Sequence, residues 1–214
     1  MSNIKLVHSG GNSVSLTTPD SNPAANRTFK LPGADGTSGQ ALVTDGNGAL
    51  SFAGTGKILS VQQAVKTDVA SYSTGSSTIS DSYFDISGLS ITLTPSSGTK
   101  CFISYTVNVG GENSYDAGIA LFRGSTQIYL GDASGSRQRL SNYYVIDGGH
   151  KTYAANGQFL DTHGANGSTA VTYKLQMYVA TPGRTTRVNR SHDDGDDRSS
   201  GRLASQITVM EVAS

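Results

Sequence analysis

The chain has 214 residues, of which 36% are hydrophobic, only 15% are charged and 26 are glycine, with 16 Lys and Arg balancing 16 Asp and Glu. That balance leaves no basic surface for nucleic acid or an anionic membrane, and the lone Cys101 permits neither a disulfide framework nor a four-cysteine zinc site. No apolar run approaches the ~18 residues that span a bilayer, and with only Glu112 and Glu211 among the glutamates, Ser, Thr, Gly and Asn displace the strong helix formers, so an all-β chain is expected.

The first residues, MSNIKLVHSGG, lack the apolar stretch of a secretory signal, which points to a protein made and kept in a cytoplasm, or released from it by lysis. Residues 1–54 then carry the short apolar runs Val14–Leu16, Phe29–Leu31, Ala41–Val43 and Leu50–Phe52, separated by Gly, Asn, Asp, Pro and Ser. Asp45-Gly46 and Asn47-Gly48 supply the positive φ of a tight turn, so residues 41–52 are predicted to form a hairpin. A lone hairpin is marginal in water. This stem is therefore expected to be stable only against other chains; the alternative is a disordered tail, against which the regular spacing of apolar residues argues.

After the linker Ala53–Gly56, residues 55–214 read as a separate head, large enough to bury its own core. Strands are predicted near Ile58–Val65, Tyr83–Ile86, Ser90–Leu93, Lys100–Val109, Gly118–Arg123, Gln127–Leu130, Asn142–Ile146, Thr152–Phe159, Thr172–Val179 and Gln206–Val212. Alternation places Ile103, Tyr105, Val107 and Val109 on one face, and likewise Tyr173, Leu175, Met177 and Val179. Ile58–Val69 fits a helical stripe as well as a strand, and its three valines with the preceding glycine linker favour the strand. Such a pattern describes an antiparallel β-sandwich.

Chemistry is sparse. Ser97-Gly98-Thr99-Lys100 matches the S-x-x-K pattern of penicillin-recognising enzymes, but Pro95 precedes it, a strand follows and no partner motif exists. His192, Asp193, Asp194, Asp196 and Asp197 crowd one segment without the spacing of a calcium loop, and the neighbouring arginines make it a solvated loop. A carboxylate pair such as Asp193 and Asp197 acting on polysaccharide is the weakest of the readings weighed. Sequons at Asn26, Asn166 and Asn189 signify glycosylation only in a secretory context. No catalytic residue, metal ligand or cofactor site is assigned, and the chain is not expected to be an enzyme. Tyr143, Tyr144 and Tyr153 around the Gly-rich turn at His150, together with His163 in a second Gly-rich stretch, form the candidate contact surface. Tyrosine beside Gly and Asn supplies rigid contact area at low entropy cost. The alternative is that these tyrosines face the core.

The segments Asn12–Pro23, Thr28–Gly36 and Gly39–Leu42 resemble the N-terminal stems of tailed-phage fibres, especially those of marine and cyanobacterial phages. Phe122–Ile128, Gly131–Arg137 and Ile207–Val212 are similar to other virion-protein domains. The resemblance implies a homotrimeric virion structural protein, assembled in the host cytoplasm, with a jelly-roll-like head. Its arm would anchor to tail or capsid proteins through Val14, Leu16, Phe29, Leu31, Leu42 and Phe52. Its head would contact a host cell-surface glycan or protein, with no nucleic acid and no membrane insertion. Without a long repetitive shaft, the chain fits a short tail fibre, with a capsid decoration or head-fibre protein as the alternative.

Overall fold

The computed structural model describes residues 4–16, 19–21, 23–54, 57–75, 82–112 and 115–213, and every regular element among them is a β-strand. The chain divides into two compact units, Met1–Thr55 and Gly56–Ser214.

The first unit consists of two small antiparallel pairs. Strand β1 (Ile4–Val7) pairs with β2 (Ser13–Leu16), and β3 (Gln40–Thr44) pairs with β4 (Leu50–Gly54). The predicted hairpin forms, with Thr44 opposite Leu50. Its turn is held by the Asp45 carboxylate, which accepts from the Asn47 and Ala49 amides at 2.8 and 3.0 Å, while Gly46 and Gly48 take φ of 80° and 95°. Lys30 adds a short parallel bridge to Ala49. No described residue of this unit is buried. Phe29 and Leu31 remain 65% and 77% exposed, and Leu42 and Phe52 face each other across the hairpin at 50% and 39%. Val14 and Leu16 lie on β2 opposite Leu6 and Ile4, and their side chains are outside the described residues.

The second unit is a sandwich of eight strand positions. Strands β5 (Ile58–Lys66) and β6 (Ala70–Ser73) share the first position, and β7 (Ser82–Leu93), β8 (Lys100–Gly111) and β9 (Tyr115–Arg123) fill the next three. Strands β10 (Thr126–Ile128) and β11 (Asn142–Ile146) lie on the same edge of β9 as the fifth. Then come β12 (Tyr153–Asp161) and β13 (Val171–Val179), and β14 (Thr185–Val188) and β15 (Ser205–Val212) share the last position. One sheet runs β7, β13, β9, β10/β11; the other runs β5/β6, β15/β14, β8, β12. Numbered by position, these are orders 2-7-4-5 and 1-8-3-6, the strand order of a jelly roll.

Alternation builds the core between the sheets. Ile103, Tyr105, Val107 and Val109 point inward from β8, Ile207 and Val209 from β15, and Tyr173, Leu175, Met177 and Val179 from β13, all at 2% exposure or less. The Tyr105 ring lies over Gly157, its cross-strand partner, where a Cβ would collide with it. The predicted strands Tyr83–Ile86 and Ser90–Leu93 are one strand. Between them the register against β13 shifts at a bulge in which Gly88 has φ 86° and both Ile86 and Leu89 turn inward. The Ile58–Val69 segment is extended, but Val61 and Val65 point away from the core, 57% and 53% exposed.

Residues 189–204 leave the sandwich between β14 and β15, which continue one another along β8. Asn189 closes this excursion. Its backbone N–H donates to the Asn108 carbonyl at 2.9 Å and its carbonyl accepts from the Leu203 N–H at 3.1 Å. Its buried amide donates to the Lys66 and Asp68 carbonyls at 2.8 and 2.9 Å, bridging the break between β5 and β6, and accepts from the Ser205 hydroxyl. At φ 65° it occupies the left-handed region that asparagine tolerates. Asn189→Ala strands the buried Lys66 carbonyl and the part-buried Asp68 carbonyl in a backbone that alanine disfavours. The expected loss is about 3 kcal/mol, a fall in Tm of roughly 6–12 °C for a domain of this size. Asn189→Gly, which relieves only the backbone, is expected to recover about 1 kcal/mol of it. Thermal melts of the three proteins check this, and an unchanged Tm in Asn189→Ala contradicts the assignment.

Candidate functional site

The outer face of the β7, β13, β9, β11 sheet carries the head's aromatic cluster. Alternation on β13 that sends Tyr173 to Val179 inward sends Tyr178 outward, and cross-strand register lines up Tyr83, Tyr178, Gly118 and Tyr143 in one row. Tyr83 and Tyr178 have ring centroids 5.3 Å apart, and Phe122 meets Tyr83 edge-on at 5.9 Å. Tyr143 stands 57% exposed at the end of the row. Next to it a hollow of about 460 Å³ is lined by Asp116, Arg137, Gln138, Tyr143, Tyr178 and Ala180. The Tyr143 hydroxyl is pushed up to about 12, first by desolvation and then by its hydrogen bond to the Asp116 carboxylate, so it stays a donor. Arg137 is fixed by bonds to Ser134, and the Tyr83 hydroxyl donates to Gln138 at 3.3 Å. Flat aromatic surface beside a carboxylate, a guanidinium and an amide is chemistry that binds polyhydroxylated or peptide surfaces, with stacking for the apolar face and forked polar groups for orientation.

The five head residues singled out in the sequence do not converge. Tyr143 faces solvent, whereas its neighbour Tyr144 faces the opposite side, half-buried, with its ring 6.3 Å from that of Tyr153. Burial pushes the Tyr144 hydroxyl up to about 12. His150 sits in the turn after β11, within 3.9 Å of Asp193 and near Ser199 and Ser200. His163 is half-buried: its Nε2 lies 3.3 Å from the Thr99 hydroxyl and its Nδ1 accepts from the Ala165 N–H. Asp116, Arg137, Gln138 and Tyr178 were missed by sequence reasoning. Only Tyr178 had a local signal, its place opposite an apolar alternation.

Two of the acidic-loop carboxylates are engaged within their own segment. Asp194 takes Arg190 at 3.0 Å and Arg202 at 2.7 Å, and Asp197 accepts from the Ser199 hydroxyl and amide. Among the described residues no group of three or more His, Cys, Asp or Glu side chains is placed to hold a metal ion. Ser97-Gly98-Thr99-Lys100 forms a turn into β8, with Gly98 at φ 77°. Asn189, read in the sequence only as a sequon, is fully buried. A second polar cluster caps the same sandwich where β15 ends. Glu211 accepts from the Ser96 N–H at 2.7 Å, the Thr99 hydroxyl at 3.1 Å and the Ser60 hydroxyl at 3.4 Å. Arg123 grips both oxygens of Asp161 at 2.9 Å, and the buried Tyr173 hydroxyl donates to the same carboxylate at 2.7 Å.

No protein-family model and no curated protein matches the chain. Among solved structures, one of the infectious bursal disease virus Gt strain aligns at 9% identity and a TM-score of 0.36, over 95% of this chain and 48% of that one. One of the Gx strain aligns at 10% identity with the same score, over 95% and 44%. The chain thus spans about half the length of these structures or less, and at that score the likeness carries no argument about function.

The Glu211 cluster sets an acid dependence. Burial opposes ionisation of its carboxyl, but the hydrogen bonds from Ser96, Thr99 and Ser60 outweigh it and hold the group below its ordinary 4.5. Because the unfolded value is the higher, the contribution is complete above about pH 4.5 and is lost as pH falls through the folded value. Thermal melts are expected to lose Tm below that pH, and Glu211→Gln to show a weaker dependence over the same range. Superimposable profiles for the two proteins contradict the assignment.

Proposed function

We propose that this chain is a non-enzymatic phage virion structural protein, a short trimeric tail fibre anchored to the particle by residues 1–54 and contacting the host surface by its head. The observation that carries the reading is the contrast between the two units. The head buries its own core, whereas the arm holds Leu42 and Phe52 on its hairpin and Phe29 and Leu31 beside the Lys30 bridge, with none of the four buried. Isolated two-stranded hairpins are marginal in water, so the arm calls for intertwined copies or a docking protein. The resemblance of Asn12–Pro23 and Thr28–Gly36 to fibre stems supports the virion as that setting. Jelly rolls recur in capsid and lectin domains, which agrees with the assignment without deciding it.

For the host contact, the Tyr143 face supplies exposed aromatic area beside Asp116, Arg137 and Gln138, suited to a cell-surface glycan or protein. Several weak sites held together gain 10²–10⁴ in avidity. Of the carboxylates weighed for hydrolysis, Asp197 is engaged by the amide and hydroxyl of Ser199 in its own loop, which favours a structural role for that segment.

Gold labelling of intact particles with antibody to the head is expected to mark the tail. Labels confined to the capsid shell make the chain a decoration or head-fibre protein instead, and particles without label overturn the virion assignment. Particles built with Tyr143→Ala are expected to adsorb to host cells about tenfold less, the change produced by losing about 1.4 kcal/mol at a contact anchor. Unchanged adsorption removes this face from the host contact.

A further inference from the structure

We propose that the outer face of the β5, β15, β8, β12 sheet is a self-association surface, on which copies of this chain close around a common axis. The inference rests on the trimeric reading above and names the surface that makes it.

Register fixes what this face presents. Ile207 and Val209 point into the core, so Gln206, Thr208 and Met210 point out from β15. Cross-strand pairing extends each of them into a row of four. Val61, Met210, Phe102 and Leu160 form one row across all four strands; Gln63, Thr208, Ser104 and Gln158 form the next; Val65, Gln206, Thr106 and Asn156 form the third. The first row is wholly apolar, with Val61 57% and Leu160 49% exposed at its two ends. Ile58, Leu59 and Val65 add further exposure of 45–55% on β5. A solvent-facing antiparallel sheet normally carries polar and charged side chains there, and contiguous exposed apolar surface marks an interaction site.

The occupant follows from the charge pattern. None of the twelve positions carries an ionisable side chain. Two identical charged faces repel wherever like charges meet, and these three rows carry none; the nearest ionisable side chain on the face is Lys100, in the adjoining row with Val212 and Ile58. Its polar members are Gln, Asn, Ser and Thr, each both donor and acceptor, so each can bond to its own counterpart in another copy. Gln63 already donates in this way to Gln206 and Thr208, at 2.7 and 3.0 Å. The first row is apolar at both ends, on β5 and on β12. A rotation that brings the β5 side of one copy against the β12 side of the next therefore meets apolar surface with apolar surface, the heterologous contact that closes a ring.

The test uses the full chain in light scattering at micromolar concentration, comparing wild type with Met210→Arg, Leu160→Arg, Met210→Leu and, on the opposite sheet, Tyr143→Arg. Wild type, Met210→Leu and Tyr143→Arg are expected to run as three chains, and the two face variants to dissociate at least tenfold more readily, with circular dichroism confirming their folding. Peroxide oxidation of the unaltered protein gives a readout independent of substitution: in the assembly Met210 is expected to react as slowly as the buried Met177. A wild type that is monomeric throughout overturns the trimeric reading itself. A wild-type trimer that survives both arginine substitutions, or in which Met210 oxidises as fast as a free methionine, overturns this inference and leaves the trimeric reading standing.

Discussion

The head depends on the buried amide of Asn189. The first and last strand positions of the jelly roll are each interrupted, between Lys66 and Ala70 and between Val188 and Ser205, and the two breaks lie side by side. An interruption normally releases register, and a slip of one residue turns every side chain to the other face. Asn189 prevents this by bonding the Lys66 and Asp68 carbonyls with its amide, the Asn108 carbonyl with its backbone, and the Ser205 hydroxyl where β15 begins. Ile207 and Val209 consequently reach the core, and Met210 reaches the surface.

From that fixed register follow two outer faces of unlike chemistry. One sheet displays Tyr143, backed by the half-buried Tyr83 and the buried Tyr178, with Asp116, Arg137 and Gln138 nearby, a mixture of ring and forked polar groups that suits a foreign surface. The other displays three adjoining rows of aliphatic, amide and hydroxyl side chains without an ionisable group, with Lys100 in the row beyond them, the composition that suits identical neighbours. On the proposed reading, one face holds the copies together and the other turns outward. The arm pairs its backbone locally and leaves Leu31 and Phe29 exposed, which on the same reading another chain covers.

Much of the sandwich was legible because its strands obey strict alternation. Asn142–Ile146 was located to the residue, and the shared faces read from Ile103 and Tyr173 and their alternates are the inward faces of β8 and β13. Strands β6 and β14 escaped, since Ala70–Ser73 and Thr185–Val188 are four residues long with no apolar period. The bulge at Gly88 was taken for a gap between two strands because both Ile86 and Leu89 turn inward and break the period. The valines of β5 correctly signalled extended backbone, yet their exposure could not be foreseen: which face of an edge strand is buried depends on its partner. The candidate contact residues were only partly legible for the same reason. Adjacent tyrosines at 143 and 144 must point to opposite sides, and the row joining Tyr143 to Tyr178 exists only through pairings between distant strands.

The central claim is that exposed apolar surface on both units is complemented by further copies of the same chain. Native mass spectrometry of the intact protein across a hundredfold range of concentration tests it most directly. The account predicts a dominant species of three chains that persists to the lowest concentrations reached; a single chain as the only species at the highest concentration contradicts it.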